Sequence, residues 1–209
     1  ALDADQAQVR QGARSVLGRM GPKAVPDLRK ALRERNPRKQ VAAAAALRAI
    51  GPAARPAVPE LASLLSADEP AVRREAVETL GSMGGKAAER VAQLLSGPEE
   101  MAGGAADVLS RIGHPAVEPL RRVLRSNDLR ARRLAAGALA EIGIYARDAA
   151  RDLVAALADA DKKVRERASE ALAAIGPDAV EWLEKGLRHQ NPRLRAGAAR
   201  TLGKIGPPA

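Results

Sequence analysis

The segment Val164–Pro177, with the sequence VRERASEALAAIGP, contains the pattern that decides the fold. Its aliphatic residues lie 1, 4, 8 and 12 positions before Gly176, which places them on one face of an α-helix. Gly176 is expected to end the helix in a left-handed conformation, and Pro177 prevents the helix from continuing. We therefore predict a helix that ends at Gly176 and buries one face.

The same pattern recurs along the whole chain. Seven copies end in an apolar residue followed by glycine, at Gly21, Gly51, Gly84, Gly113, Gly143, Gly176 and Gly206. Successive glycines are 30, 33, 29, 30, 33 and 30 residues apart. The fourth residue before each glycine is always Leu, and the eighth is always Ala. Periods of this length are typical of solenoids, so we number seven units by these glycines.

A second apolar pattern follows the first six stops, with i, i+4 pairs such as Leu28 and Leu32 or Leu120 and Leu124. Each unit is therefore predicted to consist of helix A, a tight turn, helix B and a short polar link. Units 2 and 5, which have 33 residues, carry about three extra residues in the turn between their two helices.

These motifs resemble the HEAT-like repeats of the phycobilisome-lyase type, most closely at Val164–Pro177 followed by Ala179-Val180. The resemblance implies an all-α, right-handed α-solenoid of about six to seven helix pairs, with residues 1–209 as a single repeat array. Ala1-Leu2 matches the tail of a helix B, and helix A of unit 7 has no helix B after it. We therefore expect a fragment of a longer array, with self-association through the exposed ends as one alternative.

The links carry two recurring polar positions. Fifteen residues before the glycine we predict helix N-caps at Asn36, Asp128, Asp161 and Asn191, with Glu69 and Gln6 as weaker versions and Pro98 as an exception. Four residues later, arginine recurs as Arg10, Arg73, Arg132, Arg165 and Arg195. We favour a structural role for these arginines, in which they bind cap carboxylates or link carbonyls, over a basic ridge for a ligand.

A weaker repeat spans three units. Nine residues before the unit glycine, a further glycine occurs only in units 1, 4 and 7, at Gly12, Gly104 and Gly197. Unit 1 to unit 4 and unit 2 to unit 5 are both separated by 92 residues, which indicates duplication of a three-unit block. Because a glycine inside a helix costs about 1 kcal/mol relative to alanine, we expect close helix contacts at these positions.

Composition favours a negatively charged partner and excludes several other classes. Lys and Arg number 35 against 25 Asp and Glu, a formal net charge of +10. Trp182 and Tyr145 are the only aromatic residues, so the core must pack small aliphatic side chains in thin layers. The absence of cysteine excludes disulfides, and no apolar run is long enough for a membrane span. We favour a cytoplasmic location.

Catalytic residues are scarce. The two histidines, His114 and His189, lie in predicted turns or links, far apart along the chain. Neither has the neighbouring glutamate of the paired His-Glu motifs that hold two irons in the deoxyhypusine hydroxylases, which share this repeat type. We predict no enzyme activity, no cofactor and no metal ion.

Basic residues cluster on the predicted B helices of units 1, 4 and 6, which are expected to line the concave side. The candidate partner-binding residues are Arg29, Lys30, Arg33, Arg121, Arg122, Arg125, Trp182, Lys185 and Arg188. The B helices of units 2, 3 and 5 are expected to interrupt this stripe with Ala62, Ser63, Ala92, Gln93 and Ala155. Trp182 is either an exposed stacking residue or a cover for the core near Leu183.

These observations predict a protein interaction scaffold that binds an acidic protein segment on the B-helix face. Two alternatives stay open at this point. One is sequence-nonspecific nucleic-acid binding through phosphate contacts, and the other is a subunit that resembles a chromophore lyase.

Overall fold

The computed structural model describes residues 21–206, and within this range the chain is built from α-helices and short 3₁₀ turns, with no strand. We number twelve α-helices in this range: α1 (Val25–Arg33), α2 (Pro37–Ile50), α3 (Val58–Ser63), α4 (Pro70–Ser82), α5 (Gly85–Gln93), α6 (Glu99–Ile112), α7 (Val117–Leu124), α8 (Leu129–Ile142), α9 (Ala150–Ala156), α10 (Lys162–Ile175), α11 (Val180–Leu187) and α12 (Pro192–Ile205). Even numbers are the predicted A helices, and odd numbers are the predicted B helices.

The helices form two parallel layers. Each A helix packs against the next A helix, each B helix packs against the next B helix, and A packs against B between the layers. Residues 21–206 therefore contain units 2 to 6 as complete pairs, together with helix B of unit 1 and helix A of unit 7. The predicted all-α solenoid of HEAT-like helix pairs is confirmed. Ala1-Leu2, Gln6, Arg10 and Gly12 lie outside the described residues.

The core is a continuous aliphatic seam between the layers. In units 2 to 6 the leucines four positions before the glycine, such as Leu47, Leu109 and Leu172, have no solvent exposure, whereas Leu202 of unit 7 is partly exposed. In units 2 to 7 the alanines eight positions before the glycine are also buried, because two helices approach closely at that point. The predicted B-helix pairs are buried as well, except that Leu187 is 38% exposed. Its counterparts Leu65 and Leu157 are covered by the A helix two units later, and Leu187 has no such helix among the described residues.

The unit glycines end the A helices, but not in the conformation that the sequence suggested. All seven have positive φ, between 59° and 81°. At the helix ends ψ is strongly negative, for example −138° at Gly113, so the residue lies in the mirror image of the β region and not in the left-handed helical region. The Gly113 amide still donates to the Leu109 carbonyl at 3.2 Å. Glycine is required in either case, because side chains disfavour positive φ.

The links confirm both polar predictions. The Asp128 side chain accepts a hydrogen bond from the Ala131 amide, and the caps at Asn36, Asp161 and Asn191 accept equivalent bonds. The weaker cap predicted at Glu69 is wrong, because its side chain accepts no hydrogen bond from the helix amides. Pro98, the expected exception, also precedes a helix without capping it. The recurring arginines donate to carbonyls of the link just before their own helix. Arg165 reaches the Asp159 and Ala160 carbonyls at 2.7 and 2.8 Å, and Arg73, Arg132 and Arg195 make similar bonds.

The predicted close contacts at the helix-interior glycines are present where the structure describes them. A Cβ atom added to Gly104 would lie 3.3 Å from the Leu65 Cβ, and one added to Gly197 would lie 3.0 Å from the Leu157 Cβ. Leu65 and Leu157 end the B-helix segments two units earlier. The missing side chain lets Leu65 or Leu157 pack directly on the backbone of the A helix. This packing offsets the low helix propensity of glycine.

This contact makes two glycines of one helix respond oppositely to substitution. Gly197→Ala should lower the free energy of unfolding by about 1 kcal/mol, because crowding against Leu157 outweighs the gain in helix propensity. Gly203→Ala, at a position in α12 with no atom within 4 Å, should raise it by about 0.5 to 1 kcal/mol. Urea denaturation followed by circular dichroism measures both changes. Stabilisation by both substitutions would contradict the contact.

Candidate partner-binding face on the B helices

The predicted basic residues fall into two groups on the B-helix layer. One group lies on α1, and the other lies on α7 and α11 with α9 between them. Both groups begin with the same local motif, two arginines four residues apart on one helix face: Arg29 and Arg33 on α1, and Arg121 and Arg125 on α7. The next B helix determines what each pair of arginines can do.

On α1 the arginines are already occupied. Glu60 on α3 accepts hydrogen bonds from Arg29 at 2.9 and 3.1 Å and is also paired with Arg33. Its side chain is only 7% exposed. Burial alone would raise the pKa of the Glu60 carboxyl, but the hydrogen bonds from Arg29 and Arg33 outweigh it and lower the pKa to about 2. These three residues form an arginine clamp that joins units 1 and 2.

A second arginine clamp joins units 4 and 5. Asp152 on α9 is bound by Arg121 at 2.6 Å and by Arg125 at 2.7 Å, and Asp152 has a side-chain exposure of 11%. Burial opposes ionisation here too, yet the hydrogen bonds from Arg125 and Arg121 hold the pKa of Asp152 below its usual value. Each residue of this clamp lies 92 positions after its counterpart in the first. The duplicated block therefore includes a contact between units.

Three other candidate cations also have acidic neighbours. Lys30 pairs with Asp27 at 3.1 Å, and Lys185 pairs with Glu181 at 2.6 Å. Arg122 points away from its neighbours on α7 and pairs with Glu89 on α5 of unit 3. Arg188 is exposed and has no ion pair within residues 21–206. The structure thus brings Arg121, Arg125, Trp182 and Lys185 to one end of the B layer and leaves the α1 group at the other.

The expectation that unit 5 interrupts the stripe is wrong. Arg151 on α9 and Arg147 in the preceding turn are exposed, and neither has an ion pair with a residue in the described range. Ala62 and Ala92, which were expected on the surface, are 7% and 4% exposed and belong to the core. Ser63, Gln93 and Ala155 are exposed as expected. The two alanines were misplaced because the repeat pattern does not fix the rotation of each B helix against its neighbour.

Trp182 combines the two roles that were considered for it. The ring is half-buried against the core, and it also faces the cations around it. The Lys185 Nζ lies 4.5 Å from the ring centre, and the Arg151 guanidinium carbon lies 6.0 Å from it. Both distances are in the range of cation–π interactions. Trp182 thus forms a fixed aromatic surface between α9 and α11.

Two shallow grooves meet at Arg121 and Arg151. One, of about 480 Å³, is lined by Trp182 and Arg147 together with residues of α7. The other, of about 620 Å³, is lined by Arg125 and Asp152 together with residues of the following link. The acidic groups in both grooves already have partners. Arg121 of the clamp binds Glu118 as well as Asp152, Arg132 binds Asp159, and His114 lies beside Asp148. The arginines without acidic partners are therefore the groups that an incoming carboxylate would meet.

Catalytic groups do not converge in the described part of the chain. His114 and His189 are both exposed, and His114 Nε2 lies 3.2 Å from the Asp148 carboxylate. In residues 21–206 no group of three or more His, Cys, Asp or Glu side chains is arranged to hold a metal ion. None of the helices in this range combines the length and the apolar character needed to cross a membrane.

Comparison with known protein families identifies the repeat. The family model for HEAT repeats matches residues 43–100 and 150–209, more than half of the chain. A search of curated protein sequences finds no significant match. Nothing in these matches supports the more specific phycobilisome-lyase type.

Several solved structures are similar to this chain over most of their own length. An engineered protein shares 27% identity, with 87% of this chain and 96% of that chain covered and a TM-score of 0.43. An archaeal HEAT-like repeats protein from Thermococcus onnurineus NA1 shares 16%, with 94% and 92% covered and a TM-score of 0.45. Human deoxyhypusine hydroxylase shares 20%, with 95% and 90% covered and a TM-score of 0.39. With its repeated helix pairs and the family match over most of units 2, 3, 6 and 7, this chain belongs to the HEAT-repeat family.

Proposed function

We propose that this chain is a non-enzymatic scaffold that binds an acidic segment of a partner protein on the B-helix face of units 4 to 6. The observation that carries the proposal is the position of Arg151. Its guanidinium is exposed, has no acidic partner among residues 21–206, lines both grooves and lies beside the Trp182 ring. A hydrogen bond to such a charged group contributes about 1.5 to 3 kcal/mol.

The neighbouring residues suit this role. Trp and Arg are enriched among the residues that dominate the energy of protein interfaces, and Trp182 offers an apolar surface next to the arginines. The clamp on Asp152 holds Arg121 and Arg125 in place before any partner arrives, which reduces the side-chain entropy lost on binding. We expect an acidic side chain of the partner at Arg151 and an apolar one against Trp182.

The single tryptophan of the chain makes this proposal directly testable, because all tryptophan fluorescence comes from the proposed site. The probe is a short peptide of glutamates with leucine at every third position. Titration should change the Trp182 emission. Arg151→Gln should weaken binding about tenfold, which corresponds to the loss of one charged hydrogen bond.

Arg122→Gln is the matched control, since it removes an exposed arginine of the same layer that faces unit 3. We expect it to change the affinity less than twofold. Equal weakening by the two variants would contradict the site. A peptide with glutamine in place of glutamate that binds as tightly would contradict the requirement for acidic side chains.

A further inference from the structure

A further groove, separate from the two on the B layer, lies on the A layer between helices α10 and α12. It has a volume of about 480 Å³ and is lined by five cationic residues and one acidic residue. The cationic residues are Lys162, Arg165, Arg193, Arg200 and Lys204, and the acidic one is Glu166. Among them only Arg165 was considered as a ligand-binding residue from the sequence, as part of the disfavoured basic ridge, because the other candidates lie on the B layer.

Some cations of this α10–α12 groove already have partners within the protein, and others do not. Arg165 donates to two link carbonyls, Lys162 lies 3.5 Å from Glu166, and Lys204 donates to the Ser169 hydroxyl at 3.1 Å. Arg193 and Arg200 are exposed and have no ion pair with any residue between 21 and 206. The two arginines are therefore the cations most available to a ligand.

The fold itself does not require these charges, because the chain contains a matched groove with different ones. Three units earlier, the groove between α4 and α6 is built in the same way, with Gly104 against Leu65 in place of Gly197 against Leu157. There, Glu100 takes the position of Arg193, and Asp107 takes the position of Arg200.

The α4–α6 groove is mixed in charge, with four acidic residues against Arg73, Arg74 and Arg111. Glu78 and Glu141 also line it, and burial raises the pKa of Asp107, with the Glu141 charge raising it further. The α4–α6 groove also stays open although α8 packs beside it. Arg73 and Arg111 take the positions of Arg165 and Lys204, so those two cations recur in both grooves. The architecture tolerates either sign of charge at the positions of Arg193 and Arg200, and these two cations are specific to the α10–α12 groove.

The shape and lining of the α10–α12 groove indicate the class of ligand. Arg193, Arg200 and Lys204 follow one face of α12, and at 1.5 Å per residue their backbone positions span about 16 Å, which is longer than a single phosphate group and suits several in succession. Its apolar lining consists of Ala196, Gly197 and Leu157, and Leu157 is only 1% exposed, so the groove offers little apolar surface of the kind that protein interfaces use. Long cationic side chains above a flat floor are the usual partners of a phosphate backbone.

We infer that the α10–α12 groove binds the phosphate backbone of a nucleic acid without reading its sequence. This site is on a different layer from the proposed acidic-segment site and uses none of its residues. Among the described residues, the groove lining contains no Asn, Gln or aromatic side chain. It therefore lacks the amide groups that hydrogen-bond to base edges and the rings that stack on bases.

The test is fluorescence anisotropy of the whole chain with a labelled random oligonucleotide, single- or double-stranded, between about 50 and 200 mM salt. Arg193→Glu combined with Arg200→Asp copies the residues of the α4–α6 groove into exposed positions, so the fold should be retained. We expect binding to weaken at least tenfold and the slope of log affinity against log salt to fall by about one to two.

Arg35→Glu combined with Arg38→Asp is the control, because it changes net charge equally at two exposed positions, one in the link between α1 and α2 and one in the first turn of α2. Equal weakening by the control pair would overturn the site in favour of diffuse charge. Loss of binding through Arg151→Gln instead would place nucleic acid on the B layer and overturn it too. A polyglutamate of equal charge that binds as tightly as the oligonucleotide would make negative charge the only requirement and would overturn the nucleic-acid assignment.

Discussion

Glu60→Gln is expected to lower the free energy of unfolding at neutral pH by about 2 to 3 kcal/mol. The substitution keeps the size of the side chain but removes the buried charge between Arg29 and Arg33, so two guanidinium groups remain side by side without a counterion. Urea denaturation followed by circular dichroism measures the change.

The stability lost in Glu60→Gln should decrease as the pH falls. Glu60 has an ordinary pKa of 4.5 and a pKa of about 2 in the folded chain, so its ionised form favours folding. The contribution is fully present above about pH 4.5 and disappears as the pH falls towards 2. The difference in stability between the native chain and Glu60→Gln should therefore shrink across this window.

Glu89→Gln provides the control, because its pair with Arg122 is exposed on both sides. An exposed pair contributes at most about 1 kcal/mol, so this variant should stay close to the native chain at every pH. An equal loss from both substitutions would show that the clamp stabilises the junction of units 1 and 2 no more than an exposed pair does. A Glu60 effect that persists unchanged at pH 2.5 would show that the ionised carboxylate is not the source of the stabilisation.

Gly143→Ala should lower the free energy of unfolding by about 1 to 3 kcal/mol, because alanine would be held at a φ of 63° and a ψ of −133°. Space is not the cause of this loss. An added Cβ would lie 3.8 Å from the Ala174 carbonyl oxygen, an ordinary contact. The prediction therefore isolates the cost of the backbone conformation at a helix stop.

Gly137→Ala, six residues earlier in α8, is the matched substitution. Gly137 has helical geometry and no atom within 4 Å of an added Cβ, so alanine should stabilise the chain by about 0.5 to 1 kcal/mol. Thermal and urea denaturation of both variants would test the contrast. If Gly143→Ala were as stable as the native chain, the positive φ at the unit stops would not be a requirement of the fold.

The sequence predicted the features that depend on local chemistry repeated at a fixed period. Caps such as Asp128, stops such as Gly113 and the buried leucines each follow from a few neighbouring residues, and seven copies make the pattern unambiguous. The exact backbone region of the stops was not predictable, since any positive φ selects glycine in the same way.

The candidate site was harder to predict because it depends on how neighbouring units meet. The clamps need the rotation of one B helix against the next, which no single repeat encodes. The sequence nevertheless contained a pattern that indicates the clamps. Glu60 and Asp152 both precede a buried leucine and lie 92 positions apart, as do the arginines that bind them. Arg151 lacked such a repeat, since Pro59 takes its place in unit 2, and only the structure reveals it.

The arginine clamp also limits how such an array can be shortened. If unit 2 were deleted, Arg29 and Arg33 would face the position before the buried Val91 of unit 3, which is Arg90, and three cations would meet without a carboxylate. If units 2 to 4 were deleted together, the same arginines would face Asp152 of unit 5, and a clamp would form again. Shortening in steps of three units preserves the junction, whereas removal of one unit turns it into a site of repulsion.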